Sequence, residues 1–86
     1  MNIYLVGQSV NEGYDTYDNF VVVCENENDA AFTRPDYCDG DEQWDGKIKT
    51  TFLETWCDAK DVIVKLIGTT DLFDKKQVIC ASFNAG

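Results

Sequence analysis

The sequence predicts an α+β domain, a small and mostly antiparallel sheet of four to five strands with one short helix after the second strand. Three observations predict it. A chain of 86 residues and 9.7 kDa fits one domain, residues 1–86, because domains normally take about 100 to 200 residues. With 44% hydrophobic and 13% aromatic residues and a single proline, it has enough apolar material to fold despite a formal charge of −9. Its apolar residues fall in short strand-like runs joined by hairpin-length connections, interrupted once by a capped helical segment.

Residues 2–7 read as a strand, with Ile3 and Leu5 on one face and Tyr4 and Val6 on the other. A strand apolar on both faces belongs in the middle of a sheet. Residues 9–19 are polar and rich in turn formers, Gly13 among them, and predict a loop of about ten residues. Residues 20–24, Phe-Val-Val-Val-Cys, form the clearest strand, and the alternation places Cys24 with Phe20 and Val22 in or beside the core. Asn26 is suited to cap a helix whose first turn holds Glu27 and Asp29. Pro35 stops that helix, and so short a helix needs Phe32 and an alanine packed on the sheet.

Residues 36–46 make a second, acidic loop. Residues 47–56 alternate as an edge or near-edge strand guarded by Lys47 and Lys49. After a turn at 58–61, residues 62–67 predict a strand with Val62, Val64 and Leu66 inward, ended by Gly68. Residues 69–76 form a polar connection, and 77–83 the last strand.

The charge is unevenly placed. Residues 1–46 hold eleven acids and one base, Arg34, for a net −10, while 47–86 hold five acids and six lysines. With no histidine and so few bases, binding to nucleic-acid phosphates is excluded as a main activity, since it relies on basic residues displacing counterions. A charged partner should be basic. The plain alternative is that the acids keep the chain soluble. No apolar run reaches about 18 residues, so no spanning helix is expected. Residues 1–7 lack a basic n-region, so no signal peptide is expected there either. Cytoplasmic localisation with four reduced thiols, Cys24, Cys38, Cys57 and Cys80, follows as the expectation.

Neither a metal nor another cofactor is expected. The cysteines contain no C-x-x-C pair and no histidine accompanies them, which disfavours zinc. A calcium-loop register starting at Asp41 suits Asp45 and Gly46 but puts Phe52 where a bidentate glutamate is required. Catalysis has little support, because a serine or cysteine nucleophile has no histidine base to activate it and no phosphate-binding glycine loop exists.

The remaining signal is aromatic. Tyr14 and Tyr17 are flanked by Asp15 and Asp18, while Tyr37 and Trp44 sit among Asp36, Asp39, Asp41, Glu42 and Asp45. Loop tyrosines supply stiff contact area with a polar tip, as recognition surfaces require. One or both of Tyr14 and Tyr17 can equally fold back to cover the sheet. Together the two loops would form an acidic, aromatic face for a basic protein surface.

The stretches Asn2-Ile3-Tyr4-Leu5, Tyr14-Asp15-Thr16-Tyr17-Asp18 with the valine run behind it, and the ending Ala81-Ser82-Phe83-Asn84-Ala85-Gly86 resemble small uncharacterised proteins encoded by bacteriophages and prophages. Relative to that pattern residues 36–46 look like an insertion. The resemblance implies a phage origin, and acidic phage proteins include inhibitors of host machinery, among them anti-CRISPR proteins and DNA mimics. The expected function is therefore a non-enzymatic inhibitor of a host defence or nucleic-acid-handling protein, acting in the host cytoplasm. The alternatives are an oligomeric binder of a small nucleotide signal and a phage structural or assembly protein; a homo-oligomer is compatible with all three.

Overall fold

A computed structural model describes residues 1–36, 44–48 and 54–84 of the chain. The elements, in order, are β1 (Asn2–Gly7), β2 (Thr16–Cys24), helix α1 (Glu27–Ala31), a 3-10 turn at Ala59–Asp61, β3 (Ile63–Thr69) and β4 (Gln77–Asn84). The strands form one antiparallel sheet in the order β3-β1-β2-β4. The described residues are therefore mostly β, with one five-residue helix after the second strand.

β1 lies in the interior, paired with β2 and β3 on its two sides, as its apolar character on both faces requires. Opposite residues of antiparallel strands share a face, so Tyr4 and Val6 join Phe20, Val22 and Cys24 on one side. That side is the core. Ala30 of α1 and the buried Trp56 and Cys57 pack against it, with the Trp56 indole meeting Phe20 edge-on at 5.3 Å between ring centres. On the opposite face Val23 is buried while Ile3, Leu5 and Val21 are only half-buried.

α1 starts as its cap predicts: the Asn26 side-chain carbonyl accepts the Asp29 N–H at 2.8 Å. It ends at Ala31, which leaves Phe32 at the C-cap, 39% exposed. Phe32 therefore does not anchor the helix on the sheet; Ala30 does. β2 begins at Thr16 rather than at residue 20, because its polar first half pairs with the end of β4. β3 runs through Gly68 to Thr69 instead of stopping at the glycine. Its Val64 and the preceding Val62 pack on the core as expected, whereas Leu66 is exposed on an outer strand that has a partner on one side only among the described residues.

The expected strand at 47–56 is not found in its described residues, 47, 48 and 54–56, which are irregular; residues 49–53 lie outside the described chain. The physical reason is local. Trp56 turns into the core, and the Thr55 carbonyl accepts the Tyr17 N–H at 3.0 Å instead of joining a ladder. No described helix is long and apolar enough to cross a membrane.

Gly46 sits at φ 84°, where a Cβ would come within 2.5 Å of Phe32 and 3.0 Å of Ala59. Left-handed backbone costs a non-glycine residue about 1–2 kcal/mol before any clash. Gly46→Ala should therefore lower unfolding free energy by at least about 1 kcal/mol, read as a shifted midpoint in urea denaturation; an unchanged midpoint would contradict this packing.

Candidate functional site

The β1–β2 connection, residues 8–15, is held from within by one glutamine. The Gln8 side-chain carbonyl accepts the N–H groups of Val10 and Asn11 at 2.9 and 2.8 Å, and its amide donates to the carbonyls of Asn11 and Tyr17, both at 2.8 Å. Asn11 then reaches across to donate to the carbonyls of Glu54 and Trp56 at 3.0 and 2.7 Å. At the far side of the loop the Gly13 carbonyl accepts from the Thr16 hydroxyl and from the Asn84 amide, while Asp15, at φ 62°, donates its N–H to the Asn84 carbonyl. Aspartate tolerates this left-handed conformation better than most residues.

These bonds hold Tyr14 out. It is 79% exposed, and its sequence neighbours Glu12, Asp15 and Asp18 are exposed as well. Tyr17 has the other role: half-buried, it packs against the core and tilts over Phe83 with ring centres 4.8 Å apart. Of the two loop tyrosines, one projects and one packs.

The second acidic segment divides differently. Tyr37, Asp39, Asp41 and Glu42 lie outside the described residues. Asp36 receives two hydrogen bonds from Arg34, both 2.9 Å, and one from the Thr55 hydroxyl at 2.7 Å. Arg34 is itself buried, 8% exposed, and also bonds Glu54 and the Thr55 hydroxyl. Trp44 is half-buried against the core, stacks near Arg34 at 5.5 Å and donates its indole N–H to the Lys47 carbonyl. Asp45 is exposed and accepts the Lys47 N–H. The two loops are thus joined at their bases, through Tyr17, Thr55, Asp36 and Arg34. The Asp36 charge is compensated there, and Trp44 presents only part of its ring.

Sequence reasoning singled out neither Gln8, Asn11, Arg34 nor the Glu54–Thr55 pair, although together they set the loop. A signal did exist for Arg34: a lone base among eleven acids has many candidate partners and little electrostatic reason to stay unpaired.

The thiols divide by burial. Cys24 and Cys57 are buried and Cys80 is exposed, and none of these three is in a disulfide. Burial, reinforced by Asp29, pushes the Cys24 thiol up to about 11. Burial with Asp61 and Asp58 pushes Cys57 to about 12. Both are core groups that resist becoming thiolates. Among the described residues no three histidine, cysteine or carboxylate side chains converge on a point that could hold a metal ion.

The ion pair and the buried thiols make stability depend on pH at both ends of the range. Burial opposes ionisation of Asp36, but hydrogen bonds from Arg34 and Thr55 prevail and hold its carboxyl below the usual 3.8; burial likewise opposes the Arg34 charge, yet Asp36 and Glu54 hold it protonated more firmly than usual. The pair's contribution is present above the unfolded carboxyl value of 3.8 and is lost as pH falls through the lower folded value. Arg34→Met should cost about 3 kcal/mol at neutral pH by leaving buried carboxylates without their cation, and Asp36→Asn should weaken the acid dependence seen in pH-dependent urea unfolding. The thiols act at the other end. From the unfolded value of 9.0 upward the unfolded chain loses protons that the fold keeps, so stability should fall from pH 9.0 to about 11 through Cys24 and to about 12 through Cys57. A double Cys24→Ala, Cys57→Ala variant should show a flatter alkaline limb in the same assay.

Comparison with protein-family models, with curated proteins and with solved structures finds no match to this chain.

Proposed function

We propose that this chain is a non-enzymatic binding protein, a small α+β domain of the phage-encoded kind its sequence resembles, that inhibits a host defence or nucleic-acid-handling protein by covering a basic surface in the manner of a DNA mimic. The observation that carries the reading is Tyr14, 79% exposed, with exposed Glu12, Asp15 and Asp18 as its neighbours in sequence on a loop pinned through Gln8, Asn11 and Asn84. An aromatic anchor with two side-chain torsions, on a backbone already ordered, loses little entropy on binding. Carboxylates around it steer a basic partner and reject an acidic one.

Asp36 and Trp44 belong to the Arg34 cluster that fixes residues 54–56, to which Asn11 ties the Tyr14 loop; Tyr37, Asp39, Asp41, Glu42 and Asp45 join the proposed partner-binding set on their acidic and aromatic character in the sequence alone. The absence of an enzymatic role rests on chemistry: the chain has no histidine, and two of its thiols are buried and hard to ionise.

Affinity capture from host lysate at about 0.05 M and about 0.5 M salt tests the reading, the higher value shortening the Debye length to a few ångströms. Basic partners should be retained at low salt and lost at high salt. Tyr14→Ala, and separately Asp15→Asn with Asp18→Asn, should reduce capture of the same partner at least tenfold with unchanged circular dichroism. Acidic partners, salt-indifferent capture or undiminished binding by both variants would overturn the mechanism.

A second reading, a small-ligand binder, draws on an open groove of about 430 Å³ lined by Leu5, Gly7, Gln8, Glu12, Asp18, Ile63 and Lys65 among others. Two carboxylates against one ammonium favour a neutral or cationic ligand over a nucleotide signal.

A further inference from the structure

The missing side chain of Gly7 leaves a trough in the face of the sheet turned away from the core. Leu5 and Gly7 lie on that face, since Tyr4 and Val6 between and beside them point into the core. In register Gly7 stands between Ile63 of β3 and Asn19 of β2, and the next row on the same face is Lys65, Leu5 and Val21. Side chains therefore flank Gly7 on both sides while the middle of its row is bare backbone. A Cβ at this position would meet the Asn19 Cβ and the Asp18 carbonyl oxygen, both at 3.8 Å, an ordinary contact distance. The trough is open space, and a side chain could occupy it without strain.

This trough belongs to the groove of about 430 Å³, a size within the range of about 300–1,000 Å³ typical of ligand sites. Leu5 and Ile63 make part of the lining apolar, and Ile63 is 71% exposed. Three charged residues line it: Glu12, Asp18 and Lys65. None of them is in a salt bridge among the described residues. Lys65 stands on β3, and β1 separates it from Asp18 on β2, so the two carboxylates are not cancelled by the one ammonium.

The lining discriminates among occupants. An anion would meet two carboxylates, and a wholly apolar group would desolvate charges without replacing their hydration. A cation on an aliphatic stem suits both parts, with its stem on Leu5 and Ile63 and its head at the carboxylates. Arginine suits them better than lysine, because a guanidinium is less strongly hydrated and has five donors to divide between two carboxylates.

We infer that the groove is a subsite for an arginine side chain of the basic partner, its stem lying over Gly7 and its guanidinium at Asp18 and Glu12. The inference deepens the partner-binding reading and rests on it, because the arginine belongs to the same partner and Glu12 and Asp18 flank Tyr14 in sequence.

Nuclear magnetic resonance titration of the full chain with Nα-acetyl-arginine amide tests it, beside Nα-acetyl-citrulline amide, which has nearly the same shape without the charge. The arginine probe should shift the amide signals of Leu5, Gly7, Asn19 and Ile63 saturably, and the citrulline probe should bind at least about tenfold more weakly. Gly7→Phe, which fills the trough, should abolish the saturable shifts with unchanged circular dichroism. Asp18→Asn, at an exposed position, should weaken binding at least about threefold and carries the test if Gly7→Phe does not fold. Lys65→Met should tighten binding, because it removes a like charge. No saturable shift, an equal response to citrulline, undiminished binding by Asp18→Asn or weaker binding by Lys65→Met would overturn the inference. Its failure is separable from failure of the partner-binding reading: a captured partner lost by Tyr14→Ala but kept by a folded Gly7→Phe protein would overturn the arginine subsite and leave the Tyr14 loop standing.

Discussion

A buried guanidinium sets the terms for the rest of this structure. Removing an arginine from water costs several kcal/mol unless carboxylates and further hydrogen bonds replace its hydration. Arg34 is 8% exposed and recruits Asp36 from just beyond α1, Glu54 and Thr55 from the approach to the 3-10 turn, and the face of Trp44. Three separated stretches are therefore held in one place by one charge. Once residues 54–56 are fixed, their carbonyls are available to Asn11 and to the Tyr17 N–H, and Trp56 is directed into the core over Phe20. The exposed loop around Tyr14 thus depends on a cation it does not touch in any of the contacts described.

The same lock redistributes the charge of the amino-terminal half. Asp36 is compensated by Arg34 and Asp29 by Lys76, so neither contributes much to the outward field. Glu12, Asp15, Asp18, Glu25, Glu27 and Asp45 remain exposed. Local acidity in the sequence therefore overstates local acidity on the surface where a base lies within reach, and understates it around Tyr14, where no ion pair is formed by the described residues. Steering by such a face depends on uncompensated charges, not on composition.

Much of the fold was legible because burial pattern and propensity agree. The two-faced apolar run of β1 and the valines of β2 each fit only an interior strand, and Asn26 followed by acidic residues marks the helix start. Legibility failed where long-range pairing overrides local preference. Residues 16–19 look like turn, yet β4 draws them into β2. Residues 54–56 fit an alternating strand, yet Trp56 gains more from burial against Phe20 than the segment would from a ladder at an edge. Phe32 lost its expected place because a helix ending at Ala31 turns only Ala30 fully inward. In the site, exposed Tyr14 was legible as a loop aromatic, but the Gln8 and Asn11 bonds that hold its loop involve residues 43 and 45 positions apart in the longest cases. No local pattern encodes those.

Net charge and edge exposure, considered together, constrain how copies of this chain can meet. A charge of −9 makes random encounters between copies repulsive within a Debye length of about 8 Å at physiological salt. An unguarded edge would ordinarily invite indiscriminate pairing. Here the repulsion comes mainly from residues 1–46, while β4 belongs to the nearly neutral remainder, so approach is penalised most where the first half of the chain is presented. Negative charge elsewhere on the molecule can then do for β4 what lysines or prolines do for other edge strands. It discourages open-ended stacking at an exposed edge for as long as salt leaves the field able to reach a neighbouring copy.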